Sequence, residues 1–389
     1  MTHLNNFDKD FFFELPTKIV YGQGALIQLP ELLKTFHCQR PLIITDEGLV
    51  KAGIVAKVMA VLPTDLAVSV FAEVQANPKD SDVEAGANAY RTHTADSIIA
   101  VGGGSPIDCA KAIAVLVAND ASDIRLFEGK NKPSKPLPPL LCLPTTAGTG
   151  SELTFSSVIT DSERKFKMTI KNPFTAPKLA LCDPELTLSV PPSVTAATGM
   201  DALTHAIEAY TATCAEPISD AMALYAIELI NASLVQAYNE PENIEARSKM
   251  LMGSMLAGIA FSHSDVASVH CIAEALGGIF DLPHGLCNAV ILPHQMQYNQ
   301  EYCSERYARI AQILDNPEAE GPRDALWAVK AVQRLAKLVN LPSFKELNVD
   351  PALFPVIAQA SVINISTQSN PRPMSETDYL ELLNLMQRA

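Results

Sequence analysis

No stretch of the sequence reaches the roughly 20 consecutive apolar residues that a membrane-spanning helix needs. Its longest apolar runs are broken by Pro, Asp or Gly. Positive charge is scarce: 29 Lys and Arg face 43 Asp and Glu, a formal net charge of −14. That balance argues against nucleic acid or anionic lipid as a partner and leaves any acidic substrate to be met by local positive charge. None of the 8 cysteines forms a CxxC pair. Most lie in apolar surroundings and read as buried small hydrophobes, with disulfides or a thiolate metal site as the minor alternatives. No internal repeat or low-complexity tract is present. The first ten residues are polar and acidic with no signal-peptide core behind them, and together these absences point to the cytosol.

What is there fits two domains, because single cores rarely grow much past about 250–300 residues and the chain has 389. Apolar runs at 41–45 (PLIIT), 66–71 (LAVSVF), 97–101 (SIIAV), 140–143 (LLCL) and 179–182 (LALC) read as strands, and 107–118 reads as a helix. Such runs separated by helices predict a mostly parallel sheet covered on both faces, with ligands gathering at the strand carboxyl ends. After Pro191 and Pro192 the texture is helical, most clearly at 220–234, 246–261, 323–339 and 376–388. The boundary falls near residue 189, giving domains 1–189 and 190–389. A cleft between the halves is the default place for chemistry.

Gly102, Gly103, Gly104 and Ser105 stand between an expected strand and an expected helix that opens with Pro106. Glycines let the backbone approach a ligand, and a helix start offers its N–H groups to phosphate. The run is not the usual GxGxxG fingerprint, and a plain capped turn is the other reading. Asp108 and Lys111 follow on the opening turns, where they either pair with each other or reach a ligand. Residues 144–152 (PTTAGTGSE) place Thr145, Thr146 and Thr149 at another strand end. Their hydroxyls suit a pyrophosphate or a nicotinamide amide; a solvated loop is the bland alternative. Asp46 closes the first strand. A carboxylate there accepts from ribose hydroxyls and repels a 2′-phosphate, favouring NAD over NADP, unless it serves only as a helix cap.

Asp201 and His205 are four apart in a helical stretch, which puts them on one face. His270 and Glu274 repeat that spacing, and His284 follows. Five of the 8 histidines lie between 205 and 294. Each alone is an ordinary core or surface residue, but as a set they suggest a metal. Three imidazoles and a carboxylate suit Fe(II), Zn(II), Co(II) or Ni(II), not calcium or an iron–sulfur cluster. A divalent ion there would polarise a carbonyl and stabilise an alkoxide, a service that hydride transfer to a nicotinamide needs.

These motifs together resemble the iron-containing (group III) alcohol dehydrogenases over nearly the whole chain. The resemblance runs through Gly102–Asp108, PTTAGTGSE, the DPEL run ending at Leu186, the stretch around Asp201 and His205, and LPHGLCNA after Asp281. It implies a dehydroquinate synthase-like fold: an α/β Rossmann-type domain that binds NAD(P), followed by an all-α domain that carries the metal. It implies Asp201, His205, His270 and His284 as ligands of one divalent metal, Fe(II) first and Zn(II) next. Its cofactor positions fall on Asp46, Gly102, Gly103, Gly104, Ser105, Asp108, Thr145, Thr146, Thr149, Lys167 and Leu186. Lys167 would lie near cofactor and metal, and Phe261 would wall the substrate pocket.

Two positions depart from the family. Where many members carry a further histidine near the nicotinamide, this chain has Glu274, which reads as a fifth ligand, a proton relay or a support for His270. Where Asn is common, it has His263, which is then a candidate catalytic imidazole. The expected activity is NAD-dependent interconversion of a small primary alcohol or diol with its aldehyde, in a homodimer or larger homo-oligomer. The rivals are a glycerol dehydrogenase-like polyol enzyme, a dehydroquinate synthase-like cyclase and a non-catalytic nucleotide-binding homologue.

Overall fold

The structure, a computed structural model, describes residues 10–314 and 321–388. These form two compact units: Leu15–Val190, and the chain from Pro191 onward together with the residues before Leu15. The first unit contains β1 (Lys18–Tyr21), β2 (Pro41–Ile44), β3 (Ser69–Phe71), β4 (Ser97–Gly102), β5 (Gly129–Lys130), β6 (Leu140–Pro144), β7 (Ser156–Asp161), β8 (Phe166–Lys171) and β9 (Leu179–Cys182). Its helices are α1 (Leu29–Thr35), α2 (Glu47–Lys51), α3 (Ile54–Val61), α4 (Asp80–His93) and α5 (Gly104–Asn119). Six strands make one sheet in the order β1-β9-β6-β4-β2-β3, every pair parallel.

Successive residues of a strand point to opposite faces. Leu42, Ile44, Ile98, Ala100 and Cys142 therefore join one core with residues of α4 and α5. Ile43, Ile99, Val101, Leu141 and Leu143 join another with α1 and α3. Burial on both faces is why these strands are unbroken apolar runs. From β2 the chain steps out to β3, then returns to set β4 on the other side of β2. The order reverses there, and the carboxyl ends of β2 and β4 lead into Asp46 and the glycine run.

Two features of the sheet unit differ from the sequence reading, as does the grouping of the residues just before Leu15 with the helical unit. The strand expected at 66–71 begins only at Ser69, because Leu66 N–H closes a turn onto the Pro63 carbonyl. A small second sheet, β5-β8-β7, contains an antiparallel pair whose strands (SSVITD and FKMTIK) are too polar to stand out as apolar runs.

The second unit is helical: α6 (Pro192–Thr211), α7 (Pro217–Asn239), α8 (Ile244–Ser264), α9 (Ser268–Phe280), α10 (His284–Asn299), α11 (Ser304–Ile313), α12 (Ala325–Leu338), α13 (Phe354–Val362) and α14 (Glu376–Arg388). The chain thus has the expected class, a parallel-sheet α/β unit and an all-α unit. Among the described residues, α7 alone is long and apolar enough to cross a membrane by length and composition. Its buried stripe of Ala223, Ala226, Ile227, Ile230 and Leu234 instead packs in the bundle with α6 and α8.

In the sheet unit, α5 is tied to the threonine-rich loop by a fully buried lysine, Lys111. A buried ammonium persists only where its donors are matched. Lys111 Nζ meets Ser151 O at 2.6 Å, Ser151 Oγ at 3.0 Å, Thr154 Oγ1 at 2.8 Å and Ser156 O at 2.7 Å. Asp108, one turn earlier, accepts from Ser151 Oγ at 2.5 Å and Val158 N at 3.0 Å. Neighbouring Glu152 is buried too, and burial pushes its carboxyl up to about 7 against the opposing pull of its own backbone N–H and of Lys111. A folded-state pKa above the unfolded value means that stability is full below about 4.5 and is lost as pH rises through about 7. Glu152→Gln should remove that fall, worth roughly 3 kcal/mol, from urea-unfolding free energies measured across this window. A pH dependence identical to that of the parent protein would refute the buried neutral acid.

Candidate metal centre and cofactor loops

Asp201 and His205 lie one turn apart on α6 and so face the same way. His270 is in the first turn of α9, and His284 opens α10. One ligand atom from each of these four residues lies within 4.8 Å of all the others. Asp201, His205 and His270 are buried, and His284 partly so. The His205 and His270 rings are 4.5 Å apart, those of His270 and His284 5.3 Å apart, and Phe261 of α8 stacks on His205 at 4.4 Å. Gly285 allows this crowding: a Cβ there would stand 2.9 Å from the Ala197 carbonyl oxygen of α6.

The amide nitrogen of Asn288 lies 2.6 Å from Asp201 Oδ1, 3.0 Å from His270 Nε2 and 3.1 Å from His284 Nε2. An amide nitrogen carries two hydrogens, so three acceptors around it exceed what it satisfies. Such convergent lone pairs, three imidazoles and a carboxylate, are the donor set of a borderline divalent ion. The residues present therefore fit Fe(II) or Zn(II).

The side chain behind His270 is Glu208 of α6. Its Oε2 is 2.5 Å from His270 Nδ1, and it also accepts from the backbone N–H groups of Ala267 and Val269. Burial works against a charged His270; Glu208, then Asp201 and Glu274, outweigh it and raise the imidazole pKa. Glu274, one turn past His270, is half-buried and accepts from Asn364 Nδ2 at 2.6 Å. The carboxylate in contact with His270 Nδ1 is thus Glu208, while Glu274 acts on the ring only through its charge. His263 stacks on Phe13 at 4.0 Å, with Nδ1 2.8 Å from Ile259 O and Nε2 2.9 Å from Glu14 O. His263, expected as a candidate catalytic imidazole, thus lies against Phe13, Ile259 and Glu14.

In the sheet unit, Asp46 caps α2 by accepting from Leu49 N at 2.9 Å. Thr145 N donates to Gly102 O at 3.0 Å, which binds the two loop starts together. A Cβ on Gly103 would come within 2.8 Å of Thr146 Oγ1, and one on Gly104 within 2.6 Å of Thr149 Cγ2. The glycine run and the threonine loop are therefore one packed surface, with Ser105 in the first turn of α5 beside it. Gly103, the N-cap of α5, supplies no side-chain cap, which leaves the helix start suited to phosphate. Three residues expected at the cofactor also have neighbours within the sheet unit. Asp108 holds Ser151 and Val158, Lys167 donates to Asn77 Oδ1 at 2.6 Å, and Leu186 is buried in the core behind the sheet.

Glu208, Asn288, Asn364 and Asn77 were not assigned as site residues from sequence, although Asn77 and Asn288 lie in runs that carry the family resemblance. The signal for the first was available: Glu208 stands three positions after His205 on the same helical stretch. Asn288 stands four after His284, again one turn along.

Comparison with known proteins agrees with this geometry over the whole length. The iron-containing alcohol dehydrogenase model matches residues 16–184, and the C-terminal model of the Fe-containing alcohol dehydrogenase family matches 195–386. Alcohol dehydrogenase 4 of Saccharomyces cerevisiae is 38% identical, over 95% of this chain and 97% of its own. The 1,3-propanediol dehydrogenase of Citrobacter freundii is 38% identical, over 96% of this chain and 97% of its own. A solved 1,3-propanediol oxidoreductase superimposes with a TM-score of 0.93 at 36% identity, over 97% of this chain and 100% of that one. Sequence matches on both halves, a shared fold and a four-residue donor set lead to one conclusion: the chain belongs to the iron-containing alcohol dehydrogenase family.

Proposed function

We propose that this protein interconverts small, uncharged primary alcohols or diols with their aldehydes, using NAD(H) and one divalent ion, Fe(II) or alternatively Zn(II). The observation that carries this reading is the four-residue donor set on α6, α9 and α10. When bound, the ion would supply charge stabilisation at the alcohol oxygen and the nicotinamide would supply the hydride acceptor. Asp201, His205, His270 and His284 hold the ion. Phe261, stacked on His205, offers an apolar wall to a short carbon chain. Glu274 is our candidate proton carrier, a carboxylate one turn from a ligand and steadied by Asn364. The glycine run and the threonine loop grip the cofactor phosphates, and Asp46 selects the ribose. Proximity of the reacting groups supplies part of the acceleration, and preorganised charge the rest. We also propose a cytoplasmic homodimer or larger homo-oligomer, a reading supported by the resemblance to the family.

Three outcomes test this. His270→Ala should lower bound iron or zinc, read by elemental analysis, at least roughly tenfold and abolish turnover with it; full turnover by a metal-stripped variant would overturn the mechanism. Asp46→Asn keeps a capping oxygen but loses the charge, so the kcat/KM preference for NAD over NADP should fall by about tenfold or more. No change in that ratio would reduce Asp46 to a helix cap. Asp201 in the donor set and Glu208 and Glu274 beside it bring three carboxylates, one more negative charge than a divalent ion neutralises. A three- or four-carbon aldehyde bearing a carboxylate should therefore show at least about tenfold lower kcat/KM than its uncharged counterpart. Equal values would remove the charge argument.

A further inference from the structure

We propose that Glu208 is a positioning residue that aims His270 at the metal and, with the same carboxylate, fixes the start of α9. This inference rests on the metal-dependent reading above. The N-cap of α9 is Ala267, whose side chain offers no capping hydrogen bond. The cap comes from another helix. Glu208 Oε1 accepts from Val269 N at 2.8 Å, and Oε2 accepts from Ala267 N at 3.0 Å. The same Oε2 lies 2.5 Å from His270 Nδ1. Both oxygens of one buried carboxylate thus serve three donors, on the N-cap and first turn of the helix that carries the ligand.

The consequence for His270 is directional. A carboxylate at Nδ1 keeps the proton on that nitrogen and leaves the lone pair on Nε2. Nε2 is the atom turned toward the donor set, 4.0 Å from Asp201 Oδ1 and 3.0 Å from Asn288 Nδ2. Rotation of the ring would break the bond to Glu208, so tautomer and orientation are set together. A charged partner behind the ring also strengthens Nε2 as a donor. Since α6 bears Asp201, His205 and Glu208, a single helix supplies two ligands and the support for a third.

The test uses the full-length protein carrying Glu208→Gln. A glutamine keeps one acceptor oxygen, loses the charge and presents an NH2 group to at least one of the three donors. Zinc affinity is measured by competition with a chromophoric chelator. The cobalt(II)-loaded protein is then studied by proton NMR for the shifted, exchangeable ring N–H of each ligand histidine. We expect zinc affinity to fall by about 10–100-fold. The His270 N–H resonance should move or exchange rapidly while those of His205 and His284 stay in place. A mere packing defect would shift all three or none. Zinc affinity within about twofold of the parent, or an unmoved His270 resonance, overturns the proposal. If Glu208→Gln does not fold, Glu208→Asp carries the same test. It keeps the charge but shortens the reach by one methylene, and must still weaken zinc binding by more than about tenfold and disturb the same resonance. Failure of the parent protein itself to bind zinc or iron would instead sink the metal-dependent reading, which keeps the two failures apart.

Discussion

Four electron-rich side-chain atoms held within 4.8 Å of one another repel, and in a buried place no water spreads their charge. Holding them there is the constraint on which the helical unit is built. α6 must present Asp201 and His205 on one face, α9 must start where His270 is delivered, and α10 must begin almost against α6. Gly285 makes the last approach sterically open, and Glu208 spends its charge on the second. The packing of α7 and α8 against α6 serves the same end, since a ligand helix free to rotate by one residue would turn its carboxylate and imidazole away from the others.

The sheet unit solves a related problem with different means. Phosphate recognition needs backbone close to the ligand, and backbone without side chains is floppy. Here the glycine run is stiffened from one side by Thr146 and Thr149, and the threonine loop is stiffened from behind by the Lys111 ammonium. Lys111 supplies from within the chain the cationic centre that gathers carbonyl and hydroxyl oxygens into one arrangement. Asp108, on the same helix, takes part in that arrangement through Ser151.

How much of this was legible in the sequence follows from what each feature costs to build. The central strands were readable because burial on both faces demands unbroken apolar runs. Asp201 and His205 were readable as a pair from their helical spacing, whereas His270 and His284 were marked as ligands by the family resemblance. β7 and β8 were not, since a half-polar hairpin looks like loop. Glu208 was not singled out because one glutamate on a helix resembles any solvated one until its three donors are seen. Asp108, Leu186 and His263 show what sequence leaves out in the other direction: each has packing partners within the chain that a motif match alone does not reveal.

The stacking of Phe13 on His263 joins parts of the chain that are far apart in order; the neighbouring Glu14–His263 contact spans 249 positions. The sheet unit, Leu15–Val190, therefore interrupts a helical unit whose two pieces lie on either side of it in the chain. During synthesis the sheet unit has all its strands as soon as β9 is made. Phe13 and Glu14, translated earlier, must wait for α8 before they find their partner. Vectorial synthesis thus imposes a sequence of events on this protein: nucleotide loops first, metal ligands next, and the earliest-made of these residues among the last to settle.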